Sequence, residues 1–422
     1  MVGRVSLWLL LVCFVALVAV PQAFSRSQAK QLLVDKDKAQ CPKAAFTSIQ
    51  AAVTAASPGD TIKVCPDQYN ESVSVTKPSL TLVGPTTVNP GQCSTVTAAD
   101  PTRDAIVTGA GSYSFSLLNN NITISGFVAQ GSVDGIDTSA AFSGYRITNN
   151  IAQNDVNWGM NLNSGGANQS RVDHNCMRLN GPGTNFLADG LASEGGNLTN
   201  ALIDHNATYR NPGAGIDLSG AGARAYVTIS NNSSVEDGHA INVDNSIGSS
   251  IDHNAAQNSV GSGIFIGGSN NGLGITNNTV TGGGSQGIRF DQANFIPVFP
   301  GANVGLNVSG NVVTGVAGSG IFADANAPNL TYSLVSNNSL SGNGFSGIQL
   351  GTMNDNNRVT NNGADKNGAN GIYAAGAVGN TFANNHMSLN VQFDARDDNR
   401  PANTWTANQC ITDSPPGTIC GN

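Results

Sequence analysis

The chain has 422 residues, a formal net charge of −8, 51 glycines, and only 11% charged and 6% aromatic residues. An acidic, charge-poor chain lacks the basic footprint that nucleic-acid binding needs. So much glycine with so few charges suits neither an ordinary α/β enzyme nor a disordered chain. A length that would allow two or three globular domains must therefore be tested first for internal repeats.

In chain order, Arg4, an apolar run from Leu7 to Val20 and the small-x-small step Ala23-Phe24-Ser25 predict an export signal over residues 1–25. That run is short for a membrane span. The mature chain is expected to be a monomer without a transmembrane segment, secreted, periplasmic or at the cell surface. Processing removes Cys13 and leaves Cys41, Cys65, Cys93, Cys176, Cys410 and Cys420, an even set suited to an oxidising compartment. Cys41 with Cys65 and Cys410 with Cys420 bracket short segments and are expected to pair. Cys93 and Cys176 are the remainder, and other connectivities stay open.

Residues 26–118 read as an N-terminal cap and first coils. Thr47-Ser48-Ile49-Gln50 is a capping box, and Ile49, Val53 and Ala56 form one apolar face, which predicts a short helix plugging the end of a stack. The strands TIKV, SVSV and LTLVG follow. From 119 to 394 the chain repeats itself. Six-residue blocks such as YRITNN, SRVDHN, ALIDHN and VTISNN end at Asn150, Asn175, Asn206, Asn232, Asn254, Asn278, Asn311, Asn338, Asn362 and Asn385, most of them 22 to 27 residues apart. A Gly-aliphatic block follows at a fixed offset, nine residues from Asn150 to Gly159, Asn206 to Gly215 and Asn254 to Gly263. Each repeat thus holds two short β segments, and neighbours must stack to bury them. One inward column runs from Ile147 through Val172 and Ile203 to Phe382, the other from Ile136 through Met160 and Leu191 to Ile372; every member is apolar. The fold is expected to be all-β, a right-handed single-stranded parallel β-helix of about ten rungs. The last Asn of each block is expected at a left-handed turn, with amides stacked into a ladder. His174, His205 and His253 stand one place earlier and are expected to replace ladder amides, with metal binding or proton transfer by His174 and His205 on neighbouring rungs as the functional alternative. Residues 395–422 leave the repeat and read as a disulfide-bearing C-terminal cap.

The segment FTSIQAAVTAASPGDTIKVCPDQYNESVSV resembles the opening of pectin methylesterases and other pectin-lyase-like β-helix proteins, with Asp67-Gln68-Tyr69-Asn70-Glu71 at their GxYxE-like turn. The repeats from about residue 120 to 390 resemble generic β-helix families, including carbohydrate-active and NosD-like periplasmic proteins. The methylesterase motifs QDTL and GxxDFIFG are missing, which removes that activity. Val133-Asp134-Gly135-Ile136-Asp137 is similar to the polygalacturonase NTDGID. The next rung, however, offers Asn157-Trp158 where paired aspartates should stand, and inverting hydrolysis needs two carboxyl groups flanking a water. The resemblance implies a polysaccharide partner, with lyase- or epimerase-like action on a uronate-containing glycan, a non-catalytic glycan-binding surface role, or a NosD-like periplasmic accessory role.

Residues beside each inward aliphatic face outward and stack into columns. One column begins Arg146, Arg171; another holds Asp173, Asp204 and Asp252. A lyase needs carboxylates to hold Ca²⁺ against the uronate and a base to remove the α-proton. Asp173, Asp204 and Asp252 are therefore the candidate calcium ligands, and Arg171 and Arg210 catalytic candidates. His239, next to Asp237, is a further candidate base. Ordinary surface pairing of these charges is the plainer alternative. Two inserted loops, Asn175 to Gly190 and Gly287 to Asn311, carry Phe186 and Phe290, Phe295 and Phe299. With Trp158 and Arg146, Phe186, Phe295 and Phe299 are the candidate substrate-binding residues.

Overall fold

The computed structural model describes residues 29–95, 98–182, 187–220, 222–292, 301–327 and 329–420. The expected export signal, and the loop residues Phe186, Phe295 and Phe299, lie outside them. Each repeat closes one coil, and the coils stack in parallel into three sheets of 16, 13 and 14 strands. Two features differ from the sequence expectation. A coil carries three strands, not two, and the third sheet alone passes through fourteen coils where about ten were expected.

Both expected inward columns are buried. From Ile147 to Phe382 and from Ile136 to Ile372, all members are at most 3% exposed and belong to one continuous core. The overlooked strand belongs to the second sheet. Its inward register runs Ala129, Ala152, Met177, Thr208, Ser234, Ala256. Small and hydroxylated residues interrupt the hydrophobic period on these coils, and larger aliphatics resume only at Val280, Val313 and Leu340. The Thr208 and Ser234 hydroxyls both donate to the buried Asp237 carboxylate at 2.6 Å, so the polar pair is satisfied inside the rod.

The asparagine ladder forms, with its turn one residue earlier than expected. Positive φ falls on the penultimate residues Asn149, His174, His205, Asn231 and His253, at 53–56°. The final Asn is instead tucked beneath the turn. Asn175 Nδ2 donates to Asn206 Oδ1 at 2.9 Å, and the same link continues from Asn206 through Asn232 and Asn254 to Asn278. The histidines thus occupy left-handed turn positions, which suit His nearly as well as Asn, and do not replace ladder amides. Each ladder bond contributes about 1 kcal/mol net, and an unmade one costs more.

The helix is Ile49–Ala55, capped by Ser48, not Thr47: Ser48 Oγ accepts from the Ala51 N–H. The Glu71 carboxylate accepts from the next two orphan donors, Ile49 and Gln50, at 2.8 and 2.9 Å. The Gln50 side chain is thereby free to bind the Ser74 backbone in place of closing the box. The C-terminal segment does not leave the stack where expected. Strand Thr404–Thr406 pairs with Thr381–Ala383, Trp405 stacks on Phe382 at 4.0 Å, and Asn408 extends the ladder. Disulfides join Cys41 to Cys65, Cys93 to Cys176 and Cys410 to Cys420.

Candidate functional site

The charged columns expected from sequence lie side by side on the first sheet, where Arg146 pairs in register with Arg171, and Asp173 with Asp204. Asp173 is only 1% exposed and sits under two guanidinium groups, Arg171 Nε and, at 3.6 Å, Arg146 Nη2, while Thr148 Oγ1 donates to it. Asp204 meets Arg171 Nη2 at 3.5 Å, His205 Nδ1 at 2.8 Å, Ser230 at 2.8 Å and Asn231 at 3.0 Å. Asp252 is matched to His253, Thr276 and Asn277. Burial alone would raise the Asp204 and Asp252 carboxyls. Donors from Asn231, His205 and Ser230 on the first, and from Thr276, His253 and Asn277 on the second, hold both below the ordinary range. Among the described residues, clusters of three or more metal-capable side chains do not include Asp173, Asp204 or Asp252.

The column is thus an ion-pair ladder whose charges already have partners. Asp173→Asn is expected to lower unfolding free energy by about 1–3 kcal/mol, because the amide cannot accept from Thr148 and both arginines. The more exposed Asp252→Asn should cost under about 1 kcal/mol. Chemical denaturation of the two variants measures the difference, and equal losses would refute this account of Asp173.

The remaining site candidates do not join that column. Arg210 follows the second-sheet strand Ala207–Tyr209 at a left-handed turn and pairs with Glu236 at 2.6 Å. His239 opens the third-sheet strand His239–Val243, and its Nδ1 accepts from the Ser262 N–H at 3.0 Å. Burial lowers its pKa to about 4, so the ring is neutral at physiological pH and a weak base. Trp158 lies on the third sheet in register with Asp134. Phe290 from the second insertion is wholly buried in the core.

A different constellation gathers on the outward face of the third sheet. The residue following each inward aliphatic stacks as Ser116, Asp137, Asn161, Ala192, Asp217, Asn242. Asn161 Nδ2 donates to Asp137 at 3.1 Å, and Asn242 Nδ2 reaches both oxygens of Asp217 at 3.2 and 3.3 Å. Beyond the small Ala192 stand Glu194 and, on later coils, Asp244. Burial pushes Asp137, Glu194 and Asp217 up; neighbouring Asp217 adds to the rise of Glu194. Burial and then Asp217 take Asp244 to about 7, and burial and then Asp137 take Asp134 to about 7. Asp189, in the first insertion, rises for the same reasons, burial and then Asp217. The nearby Arg224 is itself fully buried, its guanidinium donating to the carbonyls of Ser193, Ser219 and Gly222. Asn242 Oδ1, Asp244 Oδ1 and Asp134 Oδ1 are buried without a hydrogen-bond partner among the described residues.

Carboxyl groups whose proton affinity is raised by burial, gathered on one sheet face, can donate and accept protons on a bound chain. Sequence reasoning passed over this row apart from Asp134 and Asp137. Its signal was the polar residue after the inward aliphatic at Asp137, Asn161, Asp217 and Asn242.

Three stacked parallel sheets around one apolar core define a pectin-lyase-like β-helix protein. The family model described as periplasmic copper-binding protein (NosD) matches residues 199–416, and the chain belongs to that family. No curated protein matches it. Among solved structures, it is similar to a mannuronic acid specific polysaccharide family 6 lyase enzyme from human gut microbiota, at 16% identity and TM-score 0.54, covering 90% of this chain and 91% of that one. It is also similar to DFA-IIIase from Arthrobacter chlorophenolicus A6, at 12% identity and TM-score 0.51, covering 85% and 93%. At these identities the likeness is one of fold. No helix among the described residues is long and apolar enough to cross a membrane.

The family description raises copper, whose usual protein donors are imidazole, thiolate and thioether. All six cysteines of the described chain are disulfide-bonded; Met160, Met177 and Met387 are buried in the core, and the exposed Met353 lies in a turn after the strand Ile348–Gly351, on a coil without a histidine. His174 and His205 stack in parallel at 5.2 Å, each with Nδ1 turned to its own aspartate. Among the described residues no histidine belongs to a cluster of three or more metal-capable groups. Two imidazoles without a third donor fall short of a built copper centre.

Proposed function

We propose that this NosD-family solenoid is an exported protein that binds a uronate-containing polysaccharide along its third sheet and acts on it by lyase- or epimerase-type chemistry. The observation that carries the reading is the row of carboxyls with raised pKa, Asp137, Glu194, Asp217 and Asp244, interleaved with Asn161 and Asn242. Elimination and epimerisation both begin by removing the proton next to a uronate carboxylate. A protonated carboxyl beside that carboxylate disperses the charge that develops, and an ionised neighbour serves as the base. Asp244, poised near 7, suits the first role, and Asp217, held by two amide contacts, suits the second. The third sheet can then receive an acidic polymer although the whole chain is acidic, because burial raises the proton affinity of several of its own carboxyls and so lessens their negative charge. The mannuronic acid specific lyase is similar to this chain in fold alone.

The test is to incubate the protein with alginate, pectate and glycosaminoglycans, following unsaturated product by ultraviolet absorbance and epimerised product by NMR. The paired variant Asp217→Asn, Glu194→Gln is expected to lose activity on the order of a hundredfold, while Asp173→Asn, Asp204→Asn retains it. Running the assay with and without calcium separates the two faces. Activity that needs calcium and disappears with Asp173 and Asp204 would move the site to the first sheet. Binding without product would make the protein a non-catalytic glycan binder. Neither binding nor product with any polymer would end the reading.

A further inference from the structure

We propose that Asp35, Asp37 and Asp67 form a hard-cation site of the calcium class at the first coil. The strand Gln31–Val34 pairs with Thr61–Val64, and the chain then turns through Asp35-Lys36-Asp37 to Cys41, which is bridged to Cys65 at the end of the partner strand. This closed loop sets two aspartates two residues apart, and Asp67 faces them from the start of the strand Asp67–Tyr69. One carboxylate oxygen from each of the three lies within 4.8 Å of the others. Two oxygens each 2.3–2.6 Å from one calcium ion lie at most about 5 Å apart, so the spacing fits without rearrangement.

A second observation sets this cluster apart from an ordinary acidic surface. Asp35 is 0% exposed; its Oδ2 accepts from the Cys41 N–H at 2.5 Å, but its Oδ1 has no hydrogen-bond partner among the described residues. A buried carboxylate oxygen left unmatched is costly. The cationic partner at hand is Lys36, 4.0 Å from Asp67, with its ammonium donating to the Gln68 carbonyl at 2.9 Å. One distant ammonium against three carboxylates leaves the cluster negative. Asp37 and Asp67 each spend one oxygen on a backbone N–H, Ala39 and Gln68, which fixes their orientation and leaves the other oxygen without a hydrogen bond among the described residues. The nearby sulfurs of Cys41 and Cys65 are oxidised, so the donors are oxygen only, and three carboxylates at adaptable spacing suit calcium over the smaller, octahedral magnesium.

Calorimetric titration of the full chain with calcium, and separately with magnesium, tests this. Wild type is expected to take up one calcium and to melt higher in its presence. The variant Asp37→Asn, Asp67→Asn alters two residues outside the core and is expected to bind calcium about tenfold more weakly or worse. It should also melt no lower than wild type in chelator, because like-charge repulsion is relieved. Lys36→Met should tighten calcium binding. No calcium uptake by wild type, or uptake unchanged in the Asp37, Asp67 pair, overturns the site. A pair that melts lower than wild type in chelator also overturns it, since Lys36 would then already satisfy the cluster.

Discussion

Replacing Ile264 with Asp is expected to abolish cooperative folding of the coils around it. Ile264 is 1% exposed and lies in the inward column between Ile241 and Ile288, stacked against both in register. An aspartate there has no partner and no route to water, so the loss is the buried apolar side chain plus the desolvation of a polar or charged group, several kcal/mol in all. Because each coil touches only its neighbours, the damage enters the stability sum through two interfaces at once. Ile264→Val, which keeps the shape but for one methylene, should cost about 1 kcal/mol. Ile411→Asp, at a side chain 81% exposed, should cost almost nothing. Circular dichroism and denaturant titration of the three proteins check the order. An Ile264→Asp protein with wild-type stability would mean that the column does not carry the core.

What could be read from the sequence follows from how locally each feature is encoded. The aliphatic columns, the ladder from Asn150 to Asn385 and two of the disulfides are written in residues that recur at near-constant spacing, so self-alignment finds them. The second sheet escaped because its inward Ala152, Thr208 and Ser234 are small or polar, the two hydroxyls being matched by the buried Asp237 carboxylate. The first-sheet charges were located correctly, but sequence could not tell that Asp173 is nearly sealed from water under Arg146 and Arg171. That burial makes a visible acidic column into a paired one. The converse holds on the third sheet. Asp137, Asn161, Asp217 and Asn242 stand in plain view after their aliphatics, yet what makes them chemically distinctive is proximity across coils some 25 residues apart in sequence. Charge patterning along the chain carries no trace of it.

The buried carboxyls should make the protein more stable in mild acid than at neutral pH, the reverse of ordinary carboxylate behaviour. Asp134 and Asp244 are raised from 3.8 to about 7 and Asp237 to about 6, in each case by burial first. Asp137, Glu194 and Asp217 are shifted in the same direction. Between about pH 4 and pH 7 the native state therefore binds more protons than the unfolded chain, and stability falls as pH rises through that window. His239 opposes this. Its pKa of about 4 lies below the ordinary 6.5, so the unfolded chain takes up that proton first and stability rises with pH over the same range. One imidazole against at least three carboxyls leaves the carboxyls in control, each unmatched proton being worth about 1.4 kcal/mol per pH unit. Asp204, Asp252, Asp394 and Asp413 have lowered values and withdraw their support only below about pH 4, which sets the acid limit. Thermal melts should thus give the highest Tm near pH 4–5 and a fall of several degrees by pH 7. Asp244→Asn removes a proton that the native state holds and the unfolded state does not, so it should flatten that fall while raising Tm at neutral pH. A Tm that climbs steadily from pH 5 to pH 7, or an Asp244→Asn profile parallel to wild type, would show that these carboxyls are ionised in the fold and would remove the proton donor on which the proposed chemistry depends.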